Sequence, residues 1–294
     1  MISEPVRTAA SSGADRSHGS VGAYEDFTVG RRFEAGPREV TEHDLTAFAA
    51  ISGDQHPLHH DAEFAARTRF GKPVLHGPFG IAVFFGMFHD LGLVPGSEVA
   101  LLDTNWRYLR PIFPGDALRM TMTIIRCHRT GDGSRGVVDR HVRLLNQDDE
   151  TVQEGTTAFL VPARGTGPDP AGRRFGTVAW AEALTERLDE RFASAVATWD
   201  GAIGLRSGDD EVQLRIYRGR VLEAATRTPH GPAFTLAASP LVWTELVTAQ
   251  RNDFMQRAMN GDFQVSGNAY EYLRLTKALQ LIAEAARGAG QEQR

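Results

Sequence analysis

A chain of 294 residues exceeds the usual size of one compact core, which favours two domains. Its net charge of −5 offers no basic face for nucleic acid or an anionic membrane, so an anionic ligand would need a local cluster of cations. The single cysteine, Cys127, excludes an intrachain disulfide and argues against a thiolate zinc site. No apolar run is long enough to span a bilayer, and the first residues lack the basic-then-apolar order of a signal peptide, so a cytoplasmic protein is expected.

Residues 1–22 are rich in Ser, Gly and Ala with scattered charge and are expected to be a disordered tail. A first domain is expected over 23–162. Thr41 can cap a helix in which Leu45, Phe48 and Ala49 share a face, and Ser52-Gly53 ends it. Pro78 suits the start of a second helix and Gly92 its end. Phe79, Ile81, Ala82, Val83, Phe84, Phe85, Met87 and Phe88 leave that helix almost no polar side, which predicts burial all round. From Val99 to Val161 the period changes to two: Leu118, Met120, Met122 and Ile124 alternate with polar neighbours, and Gly131-Asp132-Gly133 supplies a hairpin turn. A long buried helix wrapped by an antiparallel sheet is the hotdog architecture, so the fold class expected is α+β.

Residues 163–175, with their prolines and glycines among polar residues, read as a linker, and 176–290 as a second, smaller α+β domain. Leu184, Leu188, Phe192, Val196 and Trp199 make one helical stripe; Val212, Leu214 and Ile216 alternate as a strand; Tyr272, Leu275, Leu279 and Ile282 make a last amphipathic helix.

The chemistry concentrates in Gly53-Asp54-Gln55-His56-Pro57-Leu58-His59-His60-Asp61, followed by His76-Gly77-Pro78. Asp54 and His59 can converge on one water molecule, with the imidazole near its neutral-pH titration range. The Gly77 N–H opens a helix and has no intrahelical partner, so it can face a developing oxyanion. Together they suit addition of water to an activated double bond, or its removal. His56, His59, His60 and Asp61 are also metal-ligand types, but neighbours on a loop point apart, and no metal is expected. Arg107, Arg110 and Lys72 are cations that an anionic carrier could meet; each alone is more often a solvated surface charge.

The loop closely resembles the signature of the MaoC-like dehydratases and R-specific enoyl-CoA hydratases, a Gly-Asp-x-Asn-Pro-x-His-x-Asp loop ahead of a His-Gly helix start. Asp54, Pro57, His59, Asp61, His76 and Gly77 fall on that pattern, and Pro111-Ile112-Phe113-Pro114-Gly115-Asp116 resembles the family's turn between long strands. The resemblance implies a hotdog hydratase with Asp54, His59 and Gly77 catalytic, His56, His76 and Phe85 against substrate, and reversible hydration of a trans-2-enoyl thioester to an (R)-3-hydroxyacyl thioester. Coenzyme A or an acyl carrier belongs to the substrate, and no separate cofactor is implied. Open sheet edges lead us to expect a homodimer through the first domain. Two departures stand out: His56 replaces the family's Asn, and Phe85 replaces a small hydroxyl residue, which implies altered substrate shape or reduced activity.

Trp199-Asp200-Gly201 and the run from Phe234 through Trp243 to Gly261–Asn268 resemble the sterol carrier protein type 2 family. That likeness implies a fatty acyl or sterol ligand in an apolar tunnel of the second domain. The alternatives are a catalytically weak lipid- or acyl-binding protein, a tailoring dehydratase of polyketide or other secondary metabolism, and a hotdog thioesterase, which leaves the Asp54–His59 spacing unexplained.

Overall fold

The computed structural model describes residues 22–94 and 100–291. The tail expected over 1–22 lies, apart from Gly22, outside the described residues.

The first domain is one antiparallel sheet folded over one long helix. Its strands are β1 (Arg32–Glu39), β2 (Ala100–Tyr108), β3 (Ala117–Arg129), β4 (Arg135–Leu145) and β5 (Thr151–Pro162), in the order β1-β3-β4-β5-β2. Three helices join them: α1 (Glu42–Ser52), α2 (Ala62–Ala66) and α3 (Gly77–Asp90). The expected alternation holds in β3, where Leu118, Met120, Met122 and Ile124 are buried. A register shift between Ile124 and Arg126 breaks it, so Ile125 is buried as well. Helix α3 is buried through Phe79, Gly80, Val83, Phe84, Met87 and Phe88, while Pro78, Ala82, Gly86 and His89 remain exposed. The all-round burial expected for α3 is therefore replaced by one exposed stripe. Thr41 caps α1 as predicted, accepting from Asp44 N while Asp44 accepts from Thr41 N. Strand β2 is the sheet's edge, with Leu101, Leu102 and Tyr108 about half exposed.

The second domain carries a five-stranded sheet in the order β10-β9-β6-β7-β8, built from β6 (Asp200–Ser207), β7 (Asp210–Tyr217), β8 (Arg220–Ala225), β9 (Phe234–Ala238) and β10 (Gln264–Gly267). Strands β6 and β9 pair parallel and the rest antiparallel. Six helices accompany the sheet: α4 (Val178–Thr185), α5 (Glu190–Ala195), α6 (Pro240–Thr248), α7 (Phe254–Met259), α8 (Ala269–Arg274) and α9 (Thr276–Gln291). The single stripe expected from Leu184 to Trp199 is two helices, because the Asp189 side chain accepts from Arg191 N and Phe192 N and starts a new helix there. The last helix is likewise divided, at Leu275. Trp180, Trp243, Phe254 and Phe263 pack edge to face, with centroids 5.2–5.3 Å apart for the three successive pairs. Leu236, Trp243, Leu246, Phe254, Leu275 and Leu279 thus belong to one packed core.

The domains meet through charge as well as packing. Arg126 grips Asp139 at 2.9 and 3.0 Å and reaches Asp210 at 3.8 Å, while Arg174 clamps Asp210 at 2.6 and 2.7 Å. The Thr244 hydroxyl, which donates to Pro240 O at 2.8 Å, lies 3.4 Å from Ile125 O. The segment expected as a linker is strapped down: Asp169 accepts from Arg129 N at 2.8 Å, Arg164 pairs with Asp26, and the buried Arg173 donates to Glu25 O at 3.0 Å. Among the described residues no helix is long and apolar enough to cross a membrane.

Candidate active site

The motif loop is built by its own side chains. Gly53 ends α1 in the left-handed region (φ 73°), turning the chain out of the helix. Asp54 Oδ1 then accepts from His56 N at 3.1 Å, and His56 Nδ1 accepts from Leu58 N at 3.2 Å, setting the short turn Pro57–His59. Asp61 accepts from Phe64 N at 2.9 Å and starts α2. His56 and Asp61 are therefore spent on capping the loop, and the metal group of His56, His59, His60 and Asp61 weighed from sequence does not form.

What does converge is Asp54, His59 and His76, whose ligand atoms lie within 4.8 Å of one another. His59 Nδ1 is 2.7 Å from Val74 O. A carbonyl only accepts, so Nδ1 carries the proton and Nε2 presents a bare lone pair. That Nε2 stands 3.9 Å from Asp54 Oδ2, too far for a direct hydrogen bond and across from a second acceptor. Two acceptors facing each other are satisfied by one water donating to both, which leaves the water's own lone pair free to attack. Burial, first, and the neighbouring His76 and His56 hold the His59 imidazole below its ordinary range, against the opposing pull of the Val74 contact and Asp54. Burial thus favours the neutral form of this imidazole.

His76 follows the same logic. Its Nε2 is 3.0 Å from Asp54 O and must donate, and its buried Nδ1 has no hydrogen-bond partner among the described residues. The His59 and His76 rings stack at 3.7 Å and 23°. In stacked rings the in-plane lone pairs run side by side, whereas a metal needs them to converge at about 2 Å. The cluster is thus better suited to water than to a divalent cation.

Gly77 opens α3, and its N–H has no place in the intrahelical ladder. Its carbonyl accepts from Gln153 Nε2 at 3.0 Å, and Gln153 Oε1 accepts from Trp106 Nε1 at 2.8 Å. A Cβ at Gly77 would come within 3.3 Å of the Tyr108 ring, so glycine keeps the space beside this N–H open. His59, Gly77, Tyr108 and Gln153 line one groove of about 290 Å³, and His59, His60 and Lys72 line another of about 540 Å³. Arg110 lines the first groove; Arg107 pairs instead with Glu154 at 3.2 Å on the outer edge. Phe85 stands apart from the cluster: eight residues along α3 from Gly77 (85 − 77), it is roughly 12 Å farther up the helix. His56 lies 6.2 Å from the His59 ring, centroid to centroid.

Val74, Gln153 and Arg140 were not found from sequence. Val74 acts through its carbonyl, which leaves no trace in a residue's identity. Arg140 did leave one, since it interrupts the inward row Gly136, Val138, Val142 and Leu144 of β4. It is 1% exposed; burial alone lowers its guanidinium to about 9, still charged at neutral pH.

A hotdog domain thus brings a buried imidazole, a facing carboxylate and a helix-start N–H into one region. Residues 26–144 match the family described as MaoC like domain. Over 112 residues the chain is 34% identical to Protein MaoC of Klebsiella aerogenes, covering 38% of this chain and 33% of that protein. It is 37% identical over 73 residues to the (R)-specific enoyl-CoA hydratase of Aeromonas caviae, covering 25% and 53%. The chain thus spans about half, or less, of the length of these relatives. The solved structure of the monoamine oxidase regulatory protein from Archaeoglobus fulgius is similar at 31% identity and a TM-score of 0.46, over 49% of this chain and 95% of that one.

Proposed function

We propose that the protein catalyses the reversible hydration of a trans-2-enoyl thioester to a 3-hydroxyacyl thioester of R configuration, with coenzyme A or an acyl carrier as part of the substrate. The observation that carries this reading is the bare His59 Nε2 set 3.9 Å from Asp54 Oδ2, beside the Gly77 N–H. Water bound between the two acceptors gives one proton to His59 as its oxygen bonds to Cβ. Charge moving onto the thioester oxygen is met by the Gly77 N–H. The Asp54–His59 pair, now one proton richer, returns that proton to Cα from the carboxyl side. Hydroxyl and hydrogen arrive from the same face, and the reverse sequence dehydrates.

The same reading has the protein act in the cytoplasm as a homodimer through the first domain, supported by the exposed apolar edge of β2 next to Tyr108 and the Gly77 groove. It gives the second domain a fatty acyl or sterol ligand, supported by the apolar store between its sheet and helices α6 and α9. Because that store is self-packed, entry requires those helices to part from the sheet. The test is loss of enoyl-thioester absorbance on mixing protein with crotonyl-CoA; no loss at micromolar protein refutes the catalytic reading.

A further inference from the structure

Arg140 lies at the middle of the central strand of the first sheet and points inward, under α3. Its Nε donates to Thr157 Oγ1 at 2.7 Å, and one terminal nitrogen meets the Met122 thioether at 3.9 Å. A guanidinium has five N–H donors, and a thioether is a weak acceptor, so most of its capacity is unspent. Four rings surround it: Phe84, Phe85, Phe88 and Phe159, with centroids 4.9, 5.9, 3.9 and 4.5 Å from Cζ. The ring faces offset part of the desolvation of the charge, but among the described residues no carboxylate pairs with it. An inward row otherwise of Gly, Val and Leu thus holds one full charge with no counter-ion.

Three of the four rings belong to α3, the helix whose first N–H borders the reacting groove. A chain anchored at Gly77 and following α3 reaches the level of Phe84 after roughly 10 Å and Phe88 after roughly 16 Å. Phe85 alone of the four rings is half-buried; the other three are buried. The cage is therefore closed on three sides by core and on the fourth by a ring that borders the surface. A guanidinium in such a place is matched by a planar anion that takes two N–H bonds at once.

We propose that Arg140 is a specificity-determining residue that receives a carboxylate at the far end of the acyl chain, entering past Phe85, so that the preferred substrates are ω-carboxyacyl thioesters. The proposal rests on the hydratase reading for the placement of the thioester, and its test is chosen to stand apart from it. Binding of the saturated, unreactive coenzyme A thioesters of decanoic and decanedioic acid is measured by calorimetry, while crotonyl-CoA, too short to reach Arg140, is followed for hydration. Charge-assisted hydrogen bonds correspond to a preference of about ten- to a hundredfold for the carboxylated chain. Arg140→Met, which replaces the buried charge by an apolar side chain, abolishes that preference and leaves crotonyl-CoA hydration unchanged. Arg140→Lys retains part of the preference and decides the matter should the Met variant fail to fold. Equal affinity of the wild type for the two thioesters, or a preference that survives in Arg140→Met, overturns the inference whatever happens to crotonyl-CoA. A carboxylate preference without crotonyl-CoA hydration keeps the inference as a binding property and sinks the catalytic reading alone.

Discussion

Gly77→Ala separates a helix-start glycine from an oxyanion donor, because the two roles respond oppositely. As a helix residue, Ala is favoured over Gly by at most about 1 kcal/mol, and by less at a first position. Against this, the new Cβ meets Tyr108 Cε1 at 3.3 Å, a contact relieved by a shift of a few tenths of an ångström. Tyr108 is 55% exposed and free to make that shift. The net change in stability is therefore within about 1 kcal/mol, a movement of the melting midpoint by a few degrees. The thioester oxygen has no such freedom, since it must approach the Gly77 N–H to about 3 Å, and loss of one oxyanion donor costs about 10²–10³ in kcat. Thermal melts and the decay of enoyl-thioester absorbance read the two effects separately. Tyr108→Ala in the Gly77→Ala background should relieve the crowding without restoring turnover. A Gly77→Ala protein with wild-type melting and turnover within a few-fold of wild type would refute the oxyanion role.

Replacing Gln153 by Leu strips an acceptor from Trp106 Nε1 and a donor from Gly77 O; we expect a loss of about 1–2 kcal/mol in denaturant unfolding, and no loss would deny the bridge its part in holding α3. His59, His128 and His141 are all held below the ordinary 6.5, with burial the largest cause of each. The unfolded chain therefore takes up protons first as pH falls: stability from these groups is fully present above 6.5 and is lost as pH drops through their lowered folded values, which melts at pH 5 and 7.5 will check. For the same reason the acid limb of kcat/KM should fall below pH 6.5, because the base must be neutral; a limb above 6.5 would contradict the burial of His59. Leu101→Lys and Leu102→Lys together on the β2 edge should lower the mass from dimer to monomer by light scattering, whereas an unchanged dimer would place the interface elsewhere.

The sequence made the short-range features legible. The Asp54–His59 spacing, the Pro78 and Gly92 bounds of α3 and the alternation of β3 are all local patterns, and each reappears in the structure. Partners brought together by the sheet carried no such signal. Gln153 reaches Gly77 from a strand 76 positions away, and the Arg126–Asp210–Arg174 seam joins charges that are unremarkable in sequence. Propensity also misled where a cap intervened, since the stripe from Leu184 to Trp199 keeps its period across Asp189 although the helix does not. Arg140 is visible in the sequence as a charge in an apolar row, since β4 alternates with the same period of two as β3.

The central claim is that Asp54 and His59 together handle one water. It is tested most directly by single-turnover hydration of crotonyl-CoA in Asp54→Asn, His59→Ala and the double variant, with each fold checked by thermal melting. Because Asp54 is more than half exposed and the His59 ring, stacked on His76, makes its one hydrogen bond among the described residues to a backbone carbonyl, all three should remain folded. The account predicts that each single variant loses about 10²–10⁴-fold and that the double is little worse than either, as groups acting on one water are not additive. Folded single variants that turn over at near the wild-type rate, or losses that multiply in the double variant, would contradict it.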